Sequence, residues 1–159
     1  EFAERIRSTL RMYPYLAAVR GGELLGYAYA GAFKTRAAYA WGVETSIYVR
    51  RDQKRTGVGG RLYAALEEIL RMQNVLNLNA CIAVPREPDE YLTRDSIAFH
   101  AHLGYRFVGE FYDCGYKFGR WYNMAWMEKH IGAHAADAAP VLPFSAVRER
   151  AAERLGIRL

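Results

Sequence analysis

A chain of 159 residues is long enough for one domain with a real hydrophobic core and too short for two ordinary ones. With 52% hydrophobic and 25% charged residues it is too apolar for a disordered chain, yet no apolar run approaches the ~20 residues of a spanning helix. The net charge of +5 asks for an anionic partner; Arg50, Arg51, Lys54, Arg55 and Arg61 crowd into one twelve-residue stretch with three glycines, which suits a compact polyphosphate better than an extended nucleic acid or a membrane surface.

From the start of the chain, Phe2, Ile6, Leu10 and Tyr13 keep a helical spacing that Pro14 ends. That beginning reads as a helix and a strand and not as a secretory signal, so the expected location is cytoplasmic. Leu16 to Val19, the Gly21-Gly22 turn and Leu24 to Phe33 predict a hairpin. A third strand, Val43 to Val49, puts Val43, Thr45, Ile47 and Val49 on one face and Glu44, Ser46 and Tyr48 on the other. After the glycine-rich turn, Leu62, Leu66, Ile69 and Leu70 mark a helix, and the alternation Leu76, Leu78, Ala80, Ile82, Val84 marks a strand. Ser96 opens a short helix that Gly104 stops. Tyr105 to Tyr112 and Tyr122 to Lys129 are expected as strands joined by a long aromatic turn. The domain is expected to span 1–131, with 132–159 an Ala/Pro-rich linker and tail holding a short helix from Ser145. Cys81 and Cys114 lack metal-type spacing and are expected as buried thiols; His130 and His134 lack a third ligand, so no metal is implied.

Strand, then Lys54-Arg55-Thr56-Gly57-Val58-Gly59-Gly60, then helix, aims several backbone N–H groups at one anion, and the helix N-terminus adds roughly half a positive charge. The turn lacks the Gly-Lys-Ser/Thr ending of nucleotide-binding P-loops and the three-glycine spacing of dinucleotide sites. Spacing alone leaves anion binding and a plain strand-to-helix turn level.

The turn resembles motif A of the GNAT acetyltransferase superfamily, Gln/Arg-x-x-Gly-x-Gly/Ala, with Lys54 where Gln or Arg is usual. Tyr13-Pro14-Tyr15-Leu16, Gly26 to Gly31, Arg36-Ala37-Ala38-Tyr39, Val43-Glu44-Thr45-Ser46, Phe99 to Tyr105 and Gly115-Tyr116-Lys117 are similar, in order, to segments of its phosphinothricin acetyltransferase branch. The resemblance implies an α/β (α+β) GNAT fold, a central mixed, mostly antiparallel sheet splayed at the acetyl-CoA site and flanked by helices. The family's first strand and helix are expected to be absent from this chain. It implies acetyl-CoA as cosubstrate, a small amino-acid-like amine of the phosphinothricin or methionine sulfoximine type as acceptor, and a homodimer. It further implies pyrophosphate contacts from Lys54, Arg55, Thr56, Gly57, Val58, Gly59 and Gly60, pantetheine contacts along Ile47, Tyr48 and Val49, and further cofactor contacts at Thr93, where the family often has Asn, and Ser96.

Acetyl transfer needs a neutral amine, hence a general base, and a carboxylate partly desolvated in a strand suits that task. Glu44 is the candidate and matches the family's assigned glutamate; the plain alternative is a surface strand glutamate in an ion pair. The resemblance implies that a backbone N–H of Ile47 or Val49 faces the oxyanion. His100 stands where many family members place a proton-donating tyrosine, and could donate to the leaving thiolate or merely pack. Tyr39 and Tyr116 could line an acceptor pocket, and Lys117 could hold an acceptor carboxylate, though a solvated turn suits Lys117 better. Two rivals stand beside the enzyme: a non-catalytic acyl-CoA sensor, and a nucleic-acid-binding module.

Overall fold

The computed structural model describes residues 1–89 and 92–159. Its elements run α1 (Phe2–Leu10), β1 (Tyr15–Arg20), β2 (Glu23–Ala32), β3 (Gly42–Val49), α2 (Val58–Met72), β4 (Asn77–Val84), α3 (Asp95–His102), β5 (Arg106–Lys117), β6 (Arg120–His130) and α4 (Phe144–Leu155), with 3-10 turns at Ala37–Tyr39 and Arg51–Gln53. Six strands form one sheet in the order β1-β2-β3-β4-β6-β5, antiparallel at every join except β3–β4.

Strand alternation divides that sheet into two unlike faces. On one face Ala28, Ala30, Val43, Leu78, Ala80, Ala125 and Met127 are each 2% exposed or less. They meet the apolar stripe of α2, whose Leu66, Ile69 and Leu70 are equally buried, and this is the core. The other face carries Glu44, Ser46, Cys81 and Trp126, and a run of stacked rings from Tyr29 through Tyr15 and Tyr27 to Tyr48.

The parallel join decides the architecture of the site. β3 and β4 pair only from Gly42↔Asn77 to Glu44↔Asn79, and beyond that row no pairing joins them. Side chains stand in for the ladder where it stops: Asn79 Nδ2 donates to the Val43 carbonyl at 3.1 Å, and Thr45 Oγ1 donates to the Asn79 carbonyl at 3.4 Å. The fork is closed at its base by buried hydrogen bonds, as burial of backbone polar groups requires.

Two expectations change. The long aromatic turn after Tyr112 is mostly strand, with register shifts between Phe107 and Gly109 and between Phe111 and Gly115. Only Phe118 and Gly119, both at positive φ, make the reversal. Residues 132–159 are not a tail apart from the domain: Phe144, Val147 and Ala151 of α4 enter the same core, and Arg154 pairs with Glu68 of α2 at 2.7 Å. The hydrophobic periodicity had located the helix, but its partner face on α2 is invisible from local pattern.

Candidate active site

Backbone direction along β3 follows from two hydrogen bonds. Phe33 N donates to Gly42 O and Arg50 N to Leu25 O, so the even-numbered residues of β3 bond to β2. Antiparallel alternation then turns the N–H and C=O of Val43, Thr45, Ile47 and Val49 toward β4. Past the fork there is no β4 partner, so Ile47 and Val49 present their backbone groups to the open gap. An extended ligand could pair with them as a strand would. Tyr48 bonds to β2 instead, and its exposed ring stacks on Tyr27 at 5.5 Å.

At the far end of the gap lies the glycine-rich turn. Gly57 caps α2 in the left-handed conformation, φ 88, with no side-chain cap. The first intrahelical bond there is Arg61 N to Gly57 O, which leaves the N–H groups of Val58, Gly59 and Gly60 without helical partners. Thr56 Oγ1 donates to Gln53 O at 2.6 Å and tightens the approach. Lys54, Arg55 and Arg61 are exposed around it. Arg50 is spent elsewhere, on Asp52 and Glu23, and so leaves the patch. Gly59 has a second reason to be glycine: a Cβ there would lie 3.1 Å from the Phe99 ring of α3.

Glu44 is half-buried at the fork, in the last β3 row that β4 pairs. Its charge is felt by Cys81, whose thiol burial first and Glu44 second push up, which keeps that sulfur protonated. Cys114, expected buried, is exposed.

Behind the fork sits a buried cluster. Thr45 Oγ1 lies 3.0 Å from the Tyr105 hydroxyl, and Tyr63 stacks on Tyr105 with ring centroids 6.1 Å apart. His100, 3% exposed, spans Tyr63 Oη at 3.1 Å and the Ser96 carbonyl at 2.7 Å. A carbonyl only accepts, so Nδ1 carries the proton and Nε2 accepts from Tyr63. Burial pushes His100 down and Tyr63 up, and Tyr105 up to about 12, so the cluster is neutral at pH 7. In this arrangement His100 has no spare proton for a thiolate. Thr93 Oγ1 accepts from Asp95 N at 3.2 Å and braces the start of α3, where Ser96 lies in the first turn.

A cavity of about 960 Å³ opens on the Glu44 face at the opposite end of β3 from the glycine turn. Gly42, Asn77, Asn79, Trp126 and Glu128 form its floor, and Phe33, Tyr39 and Trp41 one side. Tyr39 thus lies in the lining. Tyr116 and Lys117 lie away from it, at the β5–β6 tip, where Tyr116 packs on Trp121 at 5.1 Å and Lys117 sits over Phe118. The sequence singled out their chemistry, but strand length carried them away. Conversely Asn79, Thr45, Tyr63 and Tyr105 were not singled out, although Asn79 in an apolar strand was a signal that a buried polar group would need a structural partner. Among the described residues no group of three His, Cys, Asp or Glu could hold a metal, and no helix is long and apolar enough to cross a membrane.

Residues 1–126 match the model of the acetyltransferase (GNAT) domain. The chain is 33% identical over 135 residues to a phosphinothricin N-acetyltransferase of Streptomyces viridochromogenes, covering 85% of this chain and 69% of that protein. It is 36% identical over 120 residues to an L-methionine sulfoximine/L-methionine sulfone acetyltransferase of Pseudomonas aeruginosa, covering 75% and 66%. The chain thus spans about two thirds of the length of these relatives. A GNAT superfamily phosphinothricin acetyltransferase from Sinorhizobium meliloti, solved in complex with AcCoA, superposes with a TM-score of 0.72 at 31% identity, over 91% of this chain and 75% of that one.

Proposed function

The chain belongs to the acetyltransferase (GNAT) domain family, and from that premise we propose that it transfers an acetyl group from acetyl-CoA to the primary amine of an amino-acid-like acceptor, with Glu44 as general base. The observation that carries this reading is the fork: one strand, β3, joins a glycine turn with free helix-start N–H groups, an open row of backbone groups and a half-buried carboxylate in that order. The names of the relatives support the acceptor class, phosphinothricin and methionine sulfoximine both being amino-acid analogues.

The residues divide the work along about 16 Å of strand from Glu44 to Val49. Lys54, Arg55 and the N–H groups of residues 56–60 take the pyrophosphate. Thr93 and Ser96, at the start of α3, stand ready for further contacts with the same cosubstrate. Ile47 and Val49 hold the pantetheine arm by strand-like pairing, and the N–H of one of them faces the carbonyl oxygen as it gains charge. Glu44 takes a proton from the bound ammonium, directly or through water, and the neutral amine then attacks the thioester carbon. The N–C bond forms, the C–S bond breaks, and the departing thiolate takes the second proton, which the acylated nitrogen sheds. His100 acts in this scheme by holding Tyr63 in place, as a positioning residue. Incubation with acetyl-CoA and a panel of amino acids and analogues, followed by mass spectrometry, should show N-acetyl products; CoA release with no acetylated amine in any mixture would reject the reading.

We also propose a homodimer formed through the β5–β6 hairpin. Phe111, Tyr112, Tyr116, Phe118 and Trp121 are each at least half exposed, on a twelve-residue edge strand, the reversal that follows it and the strand beside it. Such an edge is normally covered.

A further inference from the structure

The cavity beside Glu44 has a wall that lies outside the residues matched by the family model. His134, Ala135, Ala136, Asp137 and Ala138 line it, whereas the match ends at residue 126. This stretch is tied down at both ends and bare between. His134 Nε2 meets Asn77 Oδ1 at 2.6 Å on one side. On the other, Trp41 Nε1 donates to Ala139 O at 2.8 Å, Asn74 Nδ2 to Pro140 O at 3.0 Å, and Gln73 Nε2 to Leu142 O at 2.8 Å. Beyond Leu142 the chain is anchored by Phe144 in the core. A strap held in that way is fixed from its ends, and it touches the cavity floor where His134 meets Asn77.

The cavity is on the acceptor's side of the fork. Gly42 and Glu44 share a strand face, and Asn79 and Glu128, both in its lining, continue the Glu44 row across β4 and β6. Its volume, about 960 Å³, lies at the upper end of what small-molecule sites offer. The lining is mainly ring and methyl surface: Phe33, Trp41, Phe111 and Trp126 face three alanines of the strap. Of its three carboxylates, Glu110 accepts from Asn123 and Glu128 from Arg106, while Asp137 stands exposed on the strap itself.

We propose that the segment His134–Ala138 is the selectivity wall of the acceptor site, and that its small residues admit amino-acid-like amines with bulky aromatic side chains. This rests on the acetyl-transfer reading and adds to it the size and polarity of the acceptor. An amine held by Glu44 at the fork would direct its side chain over Asn79 and Trp126 and under the strap. Apolar surface removed from water there supplies the preference.

The test is Ala136→Phe, which fills the cavity from an exposed position and so spares the fold. Two measurements are made on the wild-type chain and the variant: kcat/KM for acetylation of phenylalanine, tryptophan and alanine, and binding of phenylalanine and alanine followed by quenching of the chain's tryptophan fluorescence, to which Trp41 and Trp126 of the cavity contribute, excited beyond the phenylalanine band. The expected result is a preference for the aromatic amines that falls at least 10-fold in the variant, with alanine and the acetyl-CoA KM changed less than 3-fold. Equal losses for all three amines, or no loss, would overturn the wall. The fluorescence separates the two readings: phenylalanine that binds in an Ala136-sensitive way without being acetylated supports the wall and rejects acetyl transfer, while binding indifferent to Ala136→Phe rejects the wall whatever the turnover.

Discussion

At the residue scale, the fork depends on a few polar side chains that no sequence period announces. Thr45 is on the core face of β3, where an alternating strand would place valine as readily, yet its hydroxyl serves both the Asn79 carbonyl and the Tyr105 hydroxyl. Thr45→Val keeps the shape and removes both bonds, so it should cost about 1–3 kcal/mol in urea unfolding. Combined with Tyr105→Phe, the loss should be less than additive, because the two substitutions break one shared contact. His100 makes a pH prediction with a definite sign. Burial holds its folded value below the ordinary 6.5, so the unfolded chain takes up the proton first as the solution is acidified. The stability it contributes is complete above 6.5 and is lost as pH falls from there toward the depressed folded value. The urea midpoint of the wild-type chain should drop through that window, and the His100→Gln chain should lack that part of the drop.

At the scale of elements, the glycine turn shows how one motif answers two demands. Gly57 supplies a left-handed φ at the cap, while Gly59 makes room for Phe99, so that α3 can lie against the first turn of α2. Gly59→Ala should destabilise by about 1–3 kcal/mol through overpacking, and Phe99→Leu in the same chain should return much of it; no recovery would mean that the glycine is needed for backbone approach alone. The strands, helices and their order were legible because hydrophobic period and turn residues are local signals, as in Leu78, Ala80, Ile82, Val84 and the Gly104 stop. The glycine turn and Glu44 were legible for the same reason, with the family resemblance adding their roles. What was not legible depends on distant pairing: which row of β3 loses β4, that α4 enters the core against α2, and that residues 134–138 close a cavity. Tyr116 and Lys117 show the limit most clearly, since the turn assigned to them is strand and carries them to the opposite end of β6 from the Glu128 row.

For the whole molecule, the sheet puts the glycine turn and the cavity at opposite ends of β3, with Glu44 between them. Its exposed β5–β6 aromatics predict a mass of twice the chain in light scattering, and Trp121→Lys should shift it toward the monomer; a wild-type monomer at all concentrations would remove the dimer. Gln73 ties the chain's distant parts together, donating to Met12 O and Leu142 O while Leu142 N donates back to its carbonyl. That tie keeps the C-terminal strap in the same cooperative unit as the sheet. The central claim, that Glu44 deprotonates the acceptor at the fork, is met most directly by comparing the wild-type chain and Glu44→Gln in two assays, acetyl-CoA affinity by calorimetry and acetyl transfer under saturating acetyl-CoA. Affinity within 2-fold and turnover lowered roughly 10²- to 10⁴-fold is the predicted result, with part of the loss recovered at high pH where more of the amine is already neutral; equal turnover in the two chains would contradict the account.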